Sequence, residues 1–187
     1  MPFGYYARLS RRDQATYRQS DAAGAWEIPE AAVAAVRPRV EELRAALEDT
    51  ARAGGDPAAE AGPITRVERA SEAICARLSA SLGAPAPIVD ILAVRPSEDW
   101  GELHGLYTTG DEPPRIRVWM RTAKKARVVA FRTFLRTLLH ELGHHLDFEV
   151  LRLDQSFHTE GFFRRESALF RLLVPEAPGR PGGREAG

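Results

Sequence analysis

The stretch Phe131 to Leu146 constrains this chain more than any other. Phe131, Leu135, Leu138, Leu139, Leu142 and Leu146 recur at steps of three and four, which predicts an amphipathic helix running from about Thr122 to Phe148. Such a broad apolar face has to be covered, so the rest of the fold must pack around this helix. The same stretch carries His140-Glu141-Leu-Gly-His144. Residues four apart lie one turn apart on nearly the same face. The helix therefore aims two imidazoles at one point, with a carboxylate beside them. Four of the chain's five histidines fall between residues 138 and 163.

The segment before this helix reads as a small sheet. Ile88–Val94 is a β-branched run, Leu103–Tyr107 a second strand and Arg115–Met120 an alternating third. Thr109 to Pro114 supplies turn residues, so the last two strands form a hairpin. A final helix is expected from Thr159 to Val174, with Phe163, Leu169, Phe170 and Leu173 on one face.

The first 83 residues read as helical. Ser10 with Asp13 makes a capping box for a helix reaching about Ser20. A second helix starts near Pro29 and carries Val33, Val36, Val40, Leu43 and Leu47, with Pro38 expected to kink or split it. A Gly- and Pro-rich linker spans Ala53 to Pro63. Thr65 and Glu68 suggest another capping box, and Gly83 a C-cap after the stripe from Val67 to Leu82. The expected class is α+β: a helical region 1–83, a core 84–175, and a Pro- and Gly-rich tail 176–187 read as disordered.

Composition narrows the chemistry. Lys+Arg and Asp+Glu are 26 each, so charge gives no general reason to bind nucleic acid or an anionic membrane. No apolar run is long enough for a membrane span, and no signal peptide is evident, which makes a cytoplasmic protein the expectation. Cys75 is the single cysteine, so a metal site must use His, Asp or Glu.

Zinc suits the helical histidine pair, accepting imidazole nitrogens at about 2.0–2.1 Å. It lowers the pKa of bound water to about 7, and Glu141 is placed to take the proton during attack on a carbonyl. Gly143 leaves room for a closely packed strand or substrate. A catalytic zinc takes three protein ligands, so a third is needed. His145 lies about 100° around the helix from His144 and reads as a surface or supporting residue. His158, beyond a ten-residue excursion, is the favoured third ligand, with Asp154, Glu160 and Glu166 as alternatives. Asp147, one turn past His144, can orient an imidazole or face solvent. Tyr107, His145 and an Arg near residue 165 are candidates for stabilising an oxyanion.

These residues resemble the zincin metallopeptidases, and within them the compact SprT-like group. That group places H-E-x-x-H on a helix and then, after a loop, a third histidine followed four residues later by an aromatic. Here these are His140, Glu141, His144, His158 and Phe162. The resemblance covers roughly residues 88 to 174. It implies a zincin-like fold, Zn2+ held by His140, His144 and His158, Glu141 as general base, and a protein or peptide substrate paired with an edge strand near Gly105–Tyr107. The cysteine-based zinc ribbon of many SprT-like proteins cannot be built from Cys75 alone. Glu166 and the segment Leu172–Pro175 are also similar to the ImmA/IrrE-like metallopeptidases, in which a glutamate is the third ligand. The competing class is a non-catalytic zinc-stabilised scaffold.

Overall fold

A computed structural model describes residues 4–54, 61–98, 101–110 and 113–175. The expected tail 176–187 and most of the expected linker lie outside the described residues. The fold is α+β. Its helices are α1 (Arg11–Ala22), α2 (Glu30–Ala53), α3 (Ala61–Ser81), α4 (Phe131–Glu149) and α5 (Glu160–Leu173). The strands β1 (Ile88–Val94), β4 (Gly105–Thr108) and β5 (Arg115–Arg121) form one sheet, and β2 (Ser97–Glu98) pairs with β3 (Gly101–Glu102).

Sheet order is β1-β5-β4. The β4–β5 pair is the expected antiparallel hairpin, with Tyr107 opposite Ile116. β1 runs parallel to β5, with Ile91 opposite Val118. The intervening β2–β3 excursion was not expected from the sequence. Val89, Ile91, Ile116 and Val118 alternate inward and are nearly inaccessible.

The apolar stripe of α4 is the centre of the molecule. Phe134, Leu135, Leu138, Leu139, Leu142 and Leu146 are fully buried. They share one core with Val36, Val40 and Leu43 of α2, Ile74 and Leu78 of α3, the inner sheet face, and Leu169 and Phe170 of α5. Truncating one such leucine to alanine costs about 2–5 kcal/mol. The stripe thus locks the rotation of α4 and fixes where His140 and His144 point.

Several local expectations hold. Ser10 caps α1 by accepting from the Asp13 N–H. Thr159, expected only as the start of the last helix, caps α5 by accepting from the Phe162 N–H. Gly83 closes α3 in the left-handed conformation, φ 73°, with Gly83 and Ala84 donating to the Ala80 and Ser79 carbonyls. This paired closure favours glycine, which has no Cβ to strain there.

Three expectations are corrected. The helix expected from Thr122 starts at Phe131. Residues 122–129 instead turn back on β5: Thr122 donates to the Arg127 carbonyl, Val129 donates to Met120, and Arg121 bridges Val128. Thr122 Oγ1 also accepts from the Arg127 N–H, a side-chain bond that competes with helix. Pro38 does not split α2, which runs through it. Pro38 and Ala34 lie on the exposed face, where water can satisfy the carbonyl that proline leaves without a donor. Thr65 and Glu68 do not cap α3, because they lie inside it. Glu68 serves the sheet instead, its carboxylate accepting from the Ile91 N–H of β1 at 3.0 Å.

Candidate metal centre

α4 presents His140 and His144 on the face opposite its buried stripe. The loop from Val150 to Thr159 returns His158 to them. The Nε2 atoms of the three residues meet, with His140–His158 at 2.9 Å, His158–His144 at 3.1 Å and His144–His140 at 3.3 Å. Four ligands at the zinc–nitrogen bond length have neighbouring nitrogens about 3.3 Å apart when arranged as a tetrahedron. The observed edges are close to that spacing. Among the described residues, these three form the cluster able to hold a metal ion.

The other ring nitrogens settle what the Nε2 atoms carry. His140 Nδ1 lies 3.0 Å from Glu166 Oε2, and as an N–H it donates to that carboxylate. His144 Nδ1 lies 2.7 Å from Ser156 Oγ, whose hydroxyl donates to Asp147 Oδ2 at 2.8 Å. The serine proton is committed to Asp147, so its oxygen accepts from His144 Nδ1–H. Both Nε2 atoms therefore hold lone pairs. Lone pairs facing one another at about 3 Å repel unless a cation or proton lies between them. This donor set fits zinc.

Charge and burial support the same protonation. Burial, followed by repulsion from His140 and His158, pushes His144 down to about 3. Burial likewise lowers His158, with His140 adding to the effect. Neutral imidazoles are the form that binds metal. Asp147 is fully buried, and burial raises its pKa. Opposing this, Arg165 Nη2 donates to Asp147 Oδ1 at 2.8 Å and Ser156 donates to the other oxygen. Asp147 thus takes the orienting role, acting on His144 through Ser156.

Glu141 points from α4 toward the edge strand. Its pKa is raised to about 7, chiefly by burial, while His140 and a hydrogen bond from the Tyr107 backbone pull it down. Gly105 is required for this approach. A Cβ there would lie 2.5 Å from Glu141 Oε1 and 2.8 Å from Thr137 Cγ2. Gly105, Leu106 and Tyr107 face His140, Glu141, His144 and His158 across a cleft of about 420 Å³. Phe148, stacked on Tyr107 at 5.8 Å between ring centres, also lines it.

The remaining candidates are placed as follows. Glu166 sits behind His140, on the side away from the three Nε2 atoms. Asp154 pairs with Arg12 at 2.8 Å, and Glu160 opens α5, both outside the cluster. His145 is completely buried rather than on the surface, because its helix face packs under the sheet. Its Nε2–H donates to the Pro85 carbonyl at 2.8 Å, and its Nδ1 accepts from the Tyr107 hydroxyl at 3.3 Å. Arg165 is turned inward to Asp147 and the Ser20 carbonyl. Of the three oxyanion candidates, Tyr107 is the one that lines the cleft. The room left by Gly143 is filled by Phe162, whose ring would sit 3.1 Å from an added Cβ. Phe162 stacks on His144 at 4.7 Å between ring centres.

Sequence reasoning missed Ser156, and it offered an Arg near residue 165 for the oxyanion rather than as the partner of Asp147; no spacing rule marks either role. Gly105 was placed on a strand without its steric role.

No family model, curated protein or solved structure matches this chain. Among the described residues, no helix is long and apolar enough to cross a membrane.

Proposed function

We propose that this chain is a zinc-dependent metallopeptidase of the zincin type, most similar to the SprT-like group. The convergence of three imidazole Nε2 atoms beside a buried carboxylate carries this reading. His140, His144 and His158 hold the metal. Zinc bound there supplies Lewis acidity that makes water nucleophilic near neutral pH. Glu141 is the general base, and its burial raises its proton affinity toward that of a base working near pH 7. Glu166 and the Ser156–Asp147 pair fix the ring orientations of His140 and His144.

The substrate is a protein or peptide in extended form. β4 is an edge strand on the cleft side of the sheet, so a peptide laid beside it gains backbone hydrogen bonds and passes the metal. Tyr107 lines the cleft, but its hydroxyl donates to His145, so it is not assigned the oxyanion. The one cysteine, unpaired and buried, suits the reducing cytoplasm.

The test joins metal and cleavage. Protein purified without a histidine tag is expected to hold about one zinc per chain. It is expected to cleave unfolded casein, with Glu141→Gln keeping the zinc and losing the cleavage. Equal cleavage by both would assign the activity elsewhere. A zinc site with four protein ligands and no cleavage would make the chain a scaffold.

A further inference from the structure

The loop that carries His158 is held from outside the core, by α1 and the turn before it. Arg12 Nε donates to Asp154 at 2.8 Å, and the Tyr17 ring packs on Phe157 with centres 6.0 Å apart. Ser20 Oγ lies 3.3 Å from Thr159 Oγ1, and Asp21 Oδ1 accepts from the Gly161 N–H at 2.8 Å. The Tyr5 hydroxyl donates to the carbonyl of His158 itself, at 3.4 Å. These contacts flank the third histidine on both sides. At Gly161 the approach is so close that a Cβ would collide with the Ser20 and Asp21 carbonyls.

A second line reaches the first histidine pair. Arg165 Nη1 donates to the Ser20 carbonyl at 2.6 Å, while its Nη2 holds Asp147. Asp147 takes the Ser156 proton, and Ser156 accepts from His144. The C-terminal end of α1 is thus joined through buried polar groups to one ligand and through the loop to another.

α1 is lightly anchored for an element with so much depending on it. Its buried residues are Thr16, Tyr17 and Ser20, whereas α2 buries seven. Little apolar burial and a polar contact surface place an element at the low end of local stability.

We infer that α1 is a strap for the metal centre, and that its docking and zinc binding are linked equilibria. This rests on the three histidines holding zinc. Zinc fixes His144 and His158 where α1 needs them, and docked α1 holds them where zinc needs them. Linkage then requires each to strengthen the other by the same factor. The residues that do this, Arg12, Tyr17, Ser20 and Asp21, touch neither the cleft nor the metal position, so they act by positioning.

The experiment uses the full chain. Zinc affinity is measured by competition with a chromophoric chelator for wild type, Tyr17→Ala, Asp21→Ala and, as a control of general destabilisation, Leu47→Ala in α2. Amide exchange across residues 11–22 is measured with zinc and with chelator. Tyr17→Ala and Asp21→Ala are expected to weaken zinc by about 5–150-fold, the usual range of coupling. Leu47→Ala is expected to leave it unchanged, and zinc to slow exchange in α1 of the wild type. If wild type binds zinc but both α1 variants bind it equally well, the strap is overturned and the metal reading stands. If Leu47→Ala weakens zinc as much as they do, the effect is general and the strap is again overturned. If wild type binds no zinc, the metal reading falls and the strap with it. Should Tyr17→Ala not fold, Asp21→Ala and the wild-type exchange decide.

Discussion

Glu166 receives the Nδ1 proton of His140 at 3.0 Å, from the side of the ring opposite the three converging Nε2 atoms. A carboxylate so placed orients an imidazole and does not compete for the ion. His158→Ala is therefore expected to lower zinc affinity by orders of magnitude. Glu166→Ala is expected to lower it by about 10–100-fold, the usual cost of losing such a partner. Chelator competition on both variants measures the ranking. The reverse order would make Glu166 the third ligand.

Ser156 is the link between His144 and Asp147. Ser156→Ala removes the acceptor for the imidazole proton and the donor to a buried carboxylate. Zinc affinity is expected to fall about 10–100-fold with the ligand set intact. The visible spectrum of the cobalt-substituted protein is expected to keep the intensity of a tetrahedral site. An affinity equal to wild type would show that Ser156 does not position the ring.

Glu141→Gln tests the proposed base. The amide cannot take a proton at neutral pH, and general-base catalysis supplies about 10²–10⁴-fold in rate. Cleavage is expected to drop by at least that range while zinc content and melting temperature hold. Loss of zinc together with activity would mean that Glu141 supports the metal.

Gly105→Ala sets a methyl group against Glu141 Oε1 and Thr137. Thr137 sits on a helix, so the strand or the carboxylate must move. Overpacking of this kind costs about 1–3 kcal/mol of stability. Cleavage is expected to suffer more than zinc affinity, because the atoms nearest the added methyl are those of Glu141 and Thr137. Parallel chelator and casein assays separate the two.

His144 should make its own contribution to acid sensitivity of the metal-free protein in a definite window. His144 has its pKa lowered to about 3 in the folded chain, against an ordinary 6.5. Between those values the unfolded chain binds the extra proton, so stability rises with pH there and is lost as pH falls from about 6.5 toward 3. Glu141, raised to about 7, acts in the opposite direction down to about 4.5, so urea unfolding in chelator compares wild type with His144→Gln, and the variant is expected to lose less stability between pH 6.5 and 3. An unchanged slope in the variant would assign the effect to other groups.

How much of this was written along the chain depends on the range of each interaction. The α4 stripe, the H-E-x-x-H pair, the Ser10 cap and the Gly83 closure are local, and local spacing shows them. The β4–β5 hairpin follows from its turn residues. The parallel pairing of β1 with β5 does not, because residues 95–114 intervene. Thr122–Val129 was read as helix because it adjoins a strong helical pattern, while its actual bonds run back to Met120 and Arg121. The roles of Ser156 and Arg165 and the contacts of α1 are invisible locally, since each joins groups apart in the chain and leaves no period. His145 differs from both neighbours in role through geometry alone: one step along the helix turns it from the cleft to the underside of the sheet.

The two rims of the three-stranded sheet meet different fates in a crowded solution. An exposed rim invites pairing with any extended chain, including another copy of this one. On β1 the rim is closed by half-buried Glu68 of α3, which holds the Ile91 N–H. On β4 the corresponding guard is Glu141, holding the Tyr107 backbone. One guard is fixed in place by packing, and the other is the group that must give way for a peptide to enter. Resistance to aggregation and admission of substrate are therefore governed at the same hydrogen bond, and a variant that frees the Tyr107 N–H should lose solubility before it loses its fold.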